Sequence, residues 1–532
     1  MKLRSFAASK ATVLSSALVL ALGATFFTSA ASAQTVRASM QSPLRVMDPI
    51  VNTATITRAH AFMIYDTLLA TDANFEIQPQ MAEKWEVSDD GKRYVFTLRD
   101  GLKWHDGGTV TAEDCVASFK RWSAADATGQ LLSAMIDSVN VVDDKSFEVL
   151  LKEPTTLILD AFSSMGVRVN FIMPKRIAET PPSESIKEHI GSGPFRMVMD
   201  EFKPGLKAVY EKFADYVPRK EEPSWAAGGK VVNVDRVEWI AMPDQMTSIN
   251  ALLNNEIDYV EQVPFDLLPL VEGNDDFVVT ALDKLGYWTY YRLNHLHPPF
   301  DNKLVRQAAM QAIGQESVLQ AMIGDPKYYQ TCEAVFGCGT PYADSYGKDI
   351  IIPANPEKSK ELLKEAGYDG TPIVVMHPTD NPLAQAQPVV ISDALRAGGF
   401  KVDMQTMDWQ TLISRRTNQR PPSDGGWHVF VSYSAVTNTL DPLRSHVVAA
   451  DGVKSWFGWP NVPETGVLRN AFARAGSEEE RKEITKKLQK IMVDEVIIGP
   501  LGQYVSNTAY SKKISGVLEA SLPLFWNISK SN

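Results

Sequence analysis

The chain has 532 residues, 44% hydrophobic and 22% charged, with three cysteines. This is the composition of a folded globular protein with a large core, too long for a single small binding module. Its 53 Lys and Arg stand against 64 Asp and Glu, a net charge of −11. With no basic cluster to offset that balance, polyanion binding is opposed, and three cysteines furnish neither a disulfide scaffold nor a four-cysteine zinc ribbon.

Residues 1–33 read as a secretory signal peptide. Lys2, Arg4 and Lys10 precede an apolar stretch from Ala11 to Phe27, and Ala31-Ser32-Ala33 supplies small residues for cleavage before Gln34. A transmembrane anchor needs roughly 20 unbroken apolar residues, and Thr12, Ser15, Ser16 and Gly23 interrupt this one. No Cys follows the cleavage site, so no lipid anchor is expected. Cleavage removes three basic and no acidic residues, leaving an acidic, exported, soluble protein of charge −14 over 499 residues.

The first half reads as α+β. Ser88-Asp89-Asp90-Gly91 closes a hairpin whose second arm is Tyr94 to Leu98, and a second hairpin follows in VNVVDDKSFEVLLKEP. Thr111 and Asp114 cap a helix over 111–122, and a further helix spans 246–254. Cys115, on the first of these helices, reads as a small buried hydrophobe with no adjacent base to activate it.

In the second half, Asp301 or Asn302 caps one helix carrying Leu304, Val305, Ala308, Ala312, Leu319 and Met322, stopping at Gly324-Asp325-Pro326. In an oxidising compartment Cys332 and Cys338, six residues apart in a turn-rich stretch, read as a local disulfide, two buried thiols being the alternative. Asn355, Pro356 and Gly367 bracket a short helix. Strand 373–376, helix 382–399, strand 400–407, helix 408–419 and strand 427–433 then alternate, which predicts parallel strands with helical crossovers. Ser477 and Glu480 open a last amphipathic helix, and strand-like segments follow.

Five stretches carry a family resemblance: YDTLLATDANFEIQPQMAEKWEVSDDGKRYVFTLRDGLKWHDGGTVTAEDC, GSGPF at 191–195, YRLNHLHPPFDNKLVRQAAMQAI, PEKSKELLKEAGYDG and DWQTLISR. In order and spacing the chain resembles the family 5 extracellular solute-binding proteins, peptide, nickel and oligosaccharide receptors of ATP-driven importers. The resemblance implies an α/β chain with the periplasmic binding protein type II fold. Two lobes, 34–286 plus 504–532 and 287–503, would be joined by a two-crossing hinge near 285–290 and 500–505. An extra α+β subdomain of about 84–190 would belong to the first lobe. The implied partners are a small-molecule or peptide ligand and the permease subunits of an ABC transporter. Nucleic acid is not among them, the protein is not membrane-embedded, and it works as a monomer with no cofactor and no metal.

A cleft of this kind needs aromatic walls and a few polar anchors. Trp409 opens a crossover helix at the carboxyl edge of a strand, and Trp427 and Tyr433 bracket the next strand. The following loop delivers Asn438, Asp441 and His446, the alternative being a turn held by Asx bonds and the Asp441-Pro442 pair. From the first lobe come Arg58 and His60, just before the YDTL segment. His295 and His297 lack a third metal ligand nearby and read as surface residues.

Relative to dipeptide- and oligopeptide-binding members, Asn438 stands where an Asp takes the ligand's ammonium, and Asn381 where dipeptide receptors place an Arg for the carboxylate. A charge-assisted hydrogen bond is about twice as strong as a neutral one, so a zwitterionic dipeptide is disfavoured. A longer or blocked peptide, a sugar- or opine-like compound, or a metal chelate or haem stays open, the last favoured if His60 and His446 face each other. An exported hydrolase is the rival from another class. The chain lacks the G-x-S-x-G, H-E-x-x-H and Walker-type motifs that would support it.

Overall fold

The computed structural model describes residues 34–531 apart from Pro382, so the expected export signal lies outside the described residues. Two open sheets organise the chain. The first has seven strands in the order Phe195–Met197, Lys207–Lys212, Arg236–Ile240, Thr35–Ser39, Tyr259–Val263, Asn507–Ser511, Phe277–Thr280. Thr35–Ser39 lies parallel to both its neighbours, while Asn507–Ser511 runs antiparallel to the strands on either side. Val36, Ala38 and Val237 are fully enclosed while Arg37, between the first two, is exposed, the alternation of strands that bury one face.

The second sheet has six strands in the order Tyr329–Gln330, Gly499–Tyr504, Tyr287–Leu293, Val429–Ala435, Ile373–Pro378, Val402–Met407. Ile373–Pro378 is parallel to both Val402–Met407 and Val429–Ala435, with helices Gln387–Ala397 and Trp409–Arg415 as crossovers. The alternation read over 373–433 is therefore present, although the first crossover helix starts later than 382. Tyr287–Leu293 pairs antiparallel with Val429–Ala435 and Gly499–Tyr504.

The two predicted hairpins form a separate four-stranded sheet, Ala82–Val87, Arg93–Leu98, Ser146–Leu151, Ile136–Val141. Helix Ala112–Ala125 packs on it, and Asp114 Oδ2 accepts from the backbone N–H of Thr111 at 2.8 Å, so the predicted cap is made. Cys115 on this helix is fully buried and free. One apolar cluster runs from Phe96, Phe147 and Phe162 on this side through Leu440 and Leu443 to Phe472 and Leu488. Thr155 Oγ1 also donates to the Ala473 carbonyl at 2.7 Å, inside that contact.

The single helix expected from Asn302 to Gly324 is instead two, Lys303–Ala312 and Gln315–Ile323, with Asn302 capping the first. The break has a long-range cause. The buried Gln315 amide donates to the carbonyls of Cys332 and Pro500 and accepts from Cys332 N–H at 2.8 Å, satisfying backbone groups from two other segments. Gly314 allows the turn, because a Cβ there would stand 2.9 Å from Ala354 N. Cys332 and Cys338 are joined by a disulfide with Cα atoms 5.8 Å apart.

Between the sheets the chain passes twice, from Thr280 to Tyr287 and from Tyr504 to Asn507. Gly286 has φ of +65°, and a Cβ on it would lie 2.2 Å from Tyr504 O. The two passages therefore touch backbone to backbone, which only glycine permits.

Candidate functional site

Helix Thr55–Ile64 is buried at nine of its ten positions, and its only ionisable side chains are Arg58 and His60. Two positions apart is about 200° around a helix, so the two side chains leave on opposite sides. Arg58, 5% exposed, points to the seam between the sheets. Its Nη1 donates to the Gly166 carbonyl at 2.7 Å and to Asn438 Oδ1 at 3.0 Å. Asn438 sits in the turn Val436–Asn438, which continues strand Val429–Ala435, and its Nδ2 donates to Ser434 Oγ. Burial pulls the Arg58 guanidinium down to about 10, with the Tyr287 phenol opposing the shift.

His60 goes the other way. Fully buried, it hydrogen-bonds through Nδ1 to Tyr210 Oη of the first sheet at 2.9 Å, and burial holds its pKa down at about 3. The structure thus encloses His60 beside the first sheet, with Nε2 enclosed and without a partner.

On the second sheet, Tyr433 stacks on Trp409 with centroids 6.1 Å apart and meets Tyr287 edge-on at 6.2 Å. Tyr287 in turn stacks on Tyr504 at 5.5 Å. The result is an aromatic wall from the crossover helix to both interlobe passages. Asn381 Nδ2 donates to Tyr433 Oη at 3.3 Å, which ties the predicted amide to this wall.

Three other predicted contacts have different roles. Trp427 is fully enclosed among Met376, Leu412, Phe430 and Trp459, its indole N–H donating to Arg416 O. A ring in so closed a cluster packs as part of the core. Asp441 accepts from the N–H groups of Leu443 and Arg444 and pairs with the Arg444 side chain at 3.0 Å, the Asx turn weighed as its alternative. His446 packs edge-on against Trp456 at 4.8 Å, and burial beside Arg292 and Arg416 lowers its pKa to about 4.

His60 and His446 thus have separate surroundings. Among the described residues no group of three or more His, Cys, Asp or Glu is arranged to hold a metal. His295 and His297 each bond a backbone carbonyl, Val496 O and Gln419 O.

Several seam residues escaped the sequence reading. Glu261 and Gln262 lie in a β-bulge of Tyr259–Val263, beside the carboxyl end of the parallel strand Thr35–Ser39. Bulges of this kind re-aim side chains. Glu261 Oε2 accepts from Gln41 N–H at 2.9 Å, and burial raises its carboxyl to about 7. Gln262 Nε2 donates to Tyr287 Oη at 2.9 Å. Asp283, in the first passage, accepts from Leu285 N–H, leaves Oδ2 enclosed without a partner, and is raised by burial to about 6. Tyr287 is the hub: burial raises its phenol, the charges of Glu261 and Asp283 add to the rise, and Arg58 opposes it. No local motif announces these residues, because the bulge and the passages bring them together from distant segments.

The arrangement, polar anchors from both sheets around an aromatic wall at a double crossing, is suited to enclosing a small polar ligand. No described helix is long and apolar enough to cross a membrane. The family model for bacterial extracellular solute-binding proteins, family 5, matches residues 76–446. A probable peptide ABC transporter periplasmic-binding protein of Sinorhizobium fredii is 38% identical, with 95% of each chain covered. A glutathione-binding protein of Salmonella typhi is 25% identical over 92% of each. A dipeptide binding protein from Pseudoalteromonas, solved in complex with Met-Leu, superposes with a TM-score of 0.78 at 20% identity, covering 94% of this chain and 100% of that one. The fold is the two-lobed type II fold of periplasmic binding proteins, and the chain belongs to the bacterial extracellular solute-binding proteins, family 5.

Proposed function

We propose that this protein is the substrate-binding component of an ABC importer, capturing a peptide-like solute at the seam and delivering it to a membrane permease. The peptide class rests on the names of the Sinorhizobium and Salmonella relatives. Capture between lobes is carried by one observation above the others: Arg58, on a helix that packs with the first sheet, bonds Asn438 at the end of a second-sheet strand. The lobes in this reading are 34–286 with 504–532, and 287–503, the subdomain of about 84–190 belonging to the first. Gly286, pressed against Tyr504, supports a hinge at the paired passages.

The role is binding without catalysis. A solute shifts the lobes toward closure only in proportion to its greater affinity for the closed form. Arg58, Asn381, Asn438, Trp409 and Tyr433 are its contacts, with Glu261 and Tyr287 added by the seam geometry. Export runs through cleavage of residues 1–33 before Gln34, and the mature protein works as a soluble monomer without a lipid anchor, docking through its lobe rims.

Native mass spectrometry of protein purified without refolding tests the reading. A co-purified peptide series, released intact, is the expected result. Steady conversion of added peptides or esters, abolished by Arg58→Gln, would overturn the binding role.

A further inference from the structure

Several buried cations elsewhere in the molecule are provided for, although the buried Arg99 likewise keeps one bond, from Nε to Gln80 O, and an enclosed Nη2 without a partner. Arg121 is gripped by Asp48 through two hydrogen bonds, Lys230 by Asp66, and Arg306 by Glu495. Arg292 has no carboxylate, yet its Nε, Nη1 and Nη2 all donate to carbonyls, those of Phe457, Val447, Ile497 and Trp456. Arg58 has neither provision. Its Nη1 alone is bonded, to two neutral acceptors, and its Nε is enclosed without a partner. Tyr287 is the one titratable group opposing the loss of its charge. A buried donor without a partner and a buried charge without a counter-charge are both costly, and native structures keep such groups where something else supplies the partner.

We infer that Arg58 is the receptor for a carboxylate of the bound solute, taken side-on by its Nε–Nη2 edge while Nη1, fixed by Gly166 O of its own lobe, reaches Asn438 of the other. The planar guanidinium offers two parallel donors on that edge, the geometry a carboxylate matches. Bonds from Nη1 to two fixed oxygens restrict the rotation of the fork, so the edge is oriented before the solute arrives. The same contact makes closure depend on the anion, because an unneutralised Arg58 carries its desolvation cost into the closed form.

This inference rests on the proposed capture of a peptide-like solute and narrows its chemistry: the solute presents a carboxylate at the Arg58 end, from a free C-terminus or an acidic side chain. Protein stripped of bound solute by unfolding and refolding is offered tripeptide mixtures in three forms: free acids, C-terminal amides without Asp or Glu, and C-terminal amides with one Asp or Glu. Retention is read by native mass spectrometry. The wild type is expected to prefer carboxylate-bearing forms over neutral amides by at least about tenfold, the worth of a charge-assisted hydrogen bond. The second and third mixtures separate the terminal from the side-chain source.

Arg58→Gln is expected to erase the preference, and Arg58→Lys to keep a reduced one, since the charge stays while the fork is lost. A merely structural role would lower retention of all three mixtures alike. Equal retention of neutral amides and free acids by the wild type, or an undiminished preference in Arg58→Gln, would overturn the inference. If no tripeptide form is retained, the peptide reading itself falls, and thermal shifts with succinate and succinamide then decide for Arg58. A shift from succinate alone that vanishes in Arg58→Gln upholds the anion site, and equal shifts from both compounds reject it.

Discussion

The interior of the first sheet's side and the seam between the sheets handle buried charge in opposite ways. Asp66 and Lys230, both at most 1% exposed, are paired at 2.7 Å, and Asp66 also accepts from Tyr216 and from Thr67 N–H. Asp48 takes two bonds from Arg121 and two more from the N–H groups of Ile50 and Ile186. At the seam, the buried Arg58 and Glu261 and the half-buried Asp283 have no ion partner among the described residues, and burial moves each toward its neutral form. Paired charges hold a fold, whereas unpaired ones at a double crossing are groups whose counterpart arrives from outside.

The largest expected break in that contrast comes from opening a pair. Asp66→Asn leaves Lys230 charged and enclosed, and should lower the unfolding free energy by about 3–5 kcal/mol in urea titrations. Gly286→Ala comes next. The positive φ and the clash with Tyr504 O together should cost about 2–4 kcal/mol and weaken solute binding as well as stability, because the strain falls where the lobes articulate.

Glu261→Gln should act in the other direction, and only at the alkaline end. The folded carboxyl is raised to about 7 from 4.5, so the folded state binds more protons than the unfolded one between those values and loses stability as pH rises through the window. Above about pH 7 the variant should be more stable by on the order of 1–3 kcal/mol, and near pH 4.5 the difference should shrink toward zero.

The buried histidines set an opposing slope. His60, His105 and His446, held by burial at about 3, 4 and 4 against an ordinary 6.5, take up protons mainly on unfolding between those values. Stability from them is therefore present above about pH 6.5 and lost as pH falls. Melting temperatures followed across that window should drop on acidification, more steeply in Glu261→Gln than in the wild type. The smallest effect on stability is expected for Arg58→Gln, within about 1 kcal/mol, because no ion pair is broken; solute retention is what it should change.

What was legible in the sequence was local. Strand and helix periods, with caps at Asn302, Asn355 and Ser477, marked out the parallel βαβ run and the last helix. Cysteine spacing in a turn-rich loop pointed to the disulfide. What escaped needed partners from far along the chain. The helix break at Gly314 follows from Gln315 reaching Cys332 and Pro500, and the seam acids are gathered by a bulge and two passages.

Residue type alone does not separate side chains whose surroundings differ. His60 and Arg58 looked equivalent as a basic pair, and helical geometry sent one to Tyr210 and the other to Asn438. Trp409 and Trp427 looked equivalent as cleft aromatics. The first stacks on Tyr433 at the head of a crossover helix, and the second is sealed in a core.

The central claim, closure of two lobes around a solute at the seam, is tested most directly by small-angle scattering of the protein stripped of solute and then reloaded with a verified ligand. A smaller radius of gyration on reloading, lost in Arg58→Gln, is the predicted result. An unchanged radius of gyration with the ligand demonstrably bound would contradict the claim.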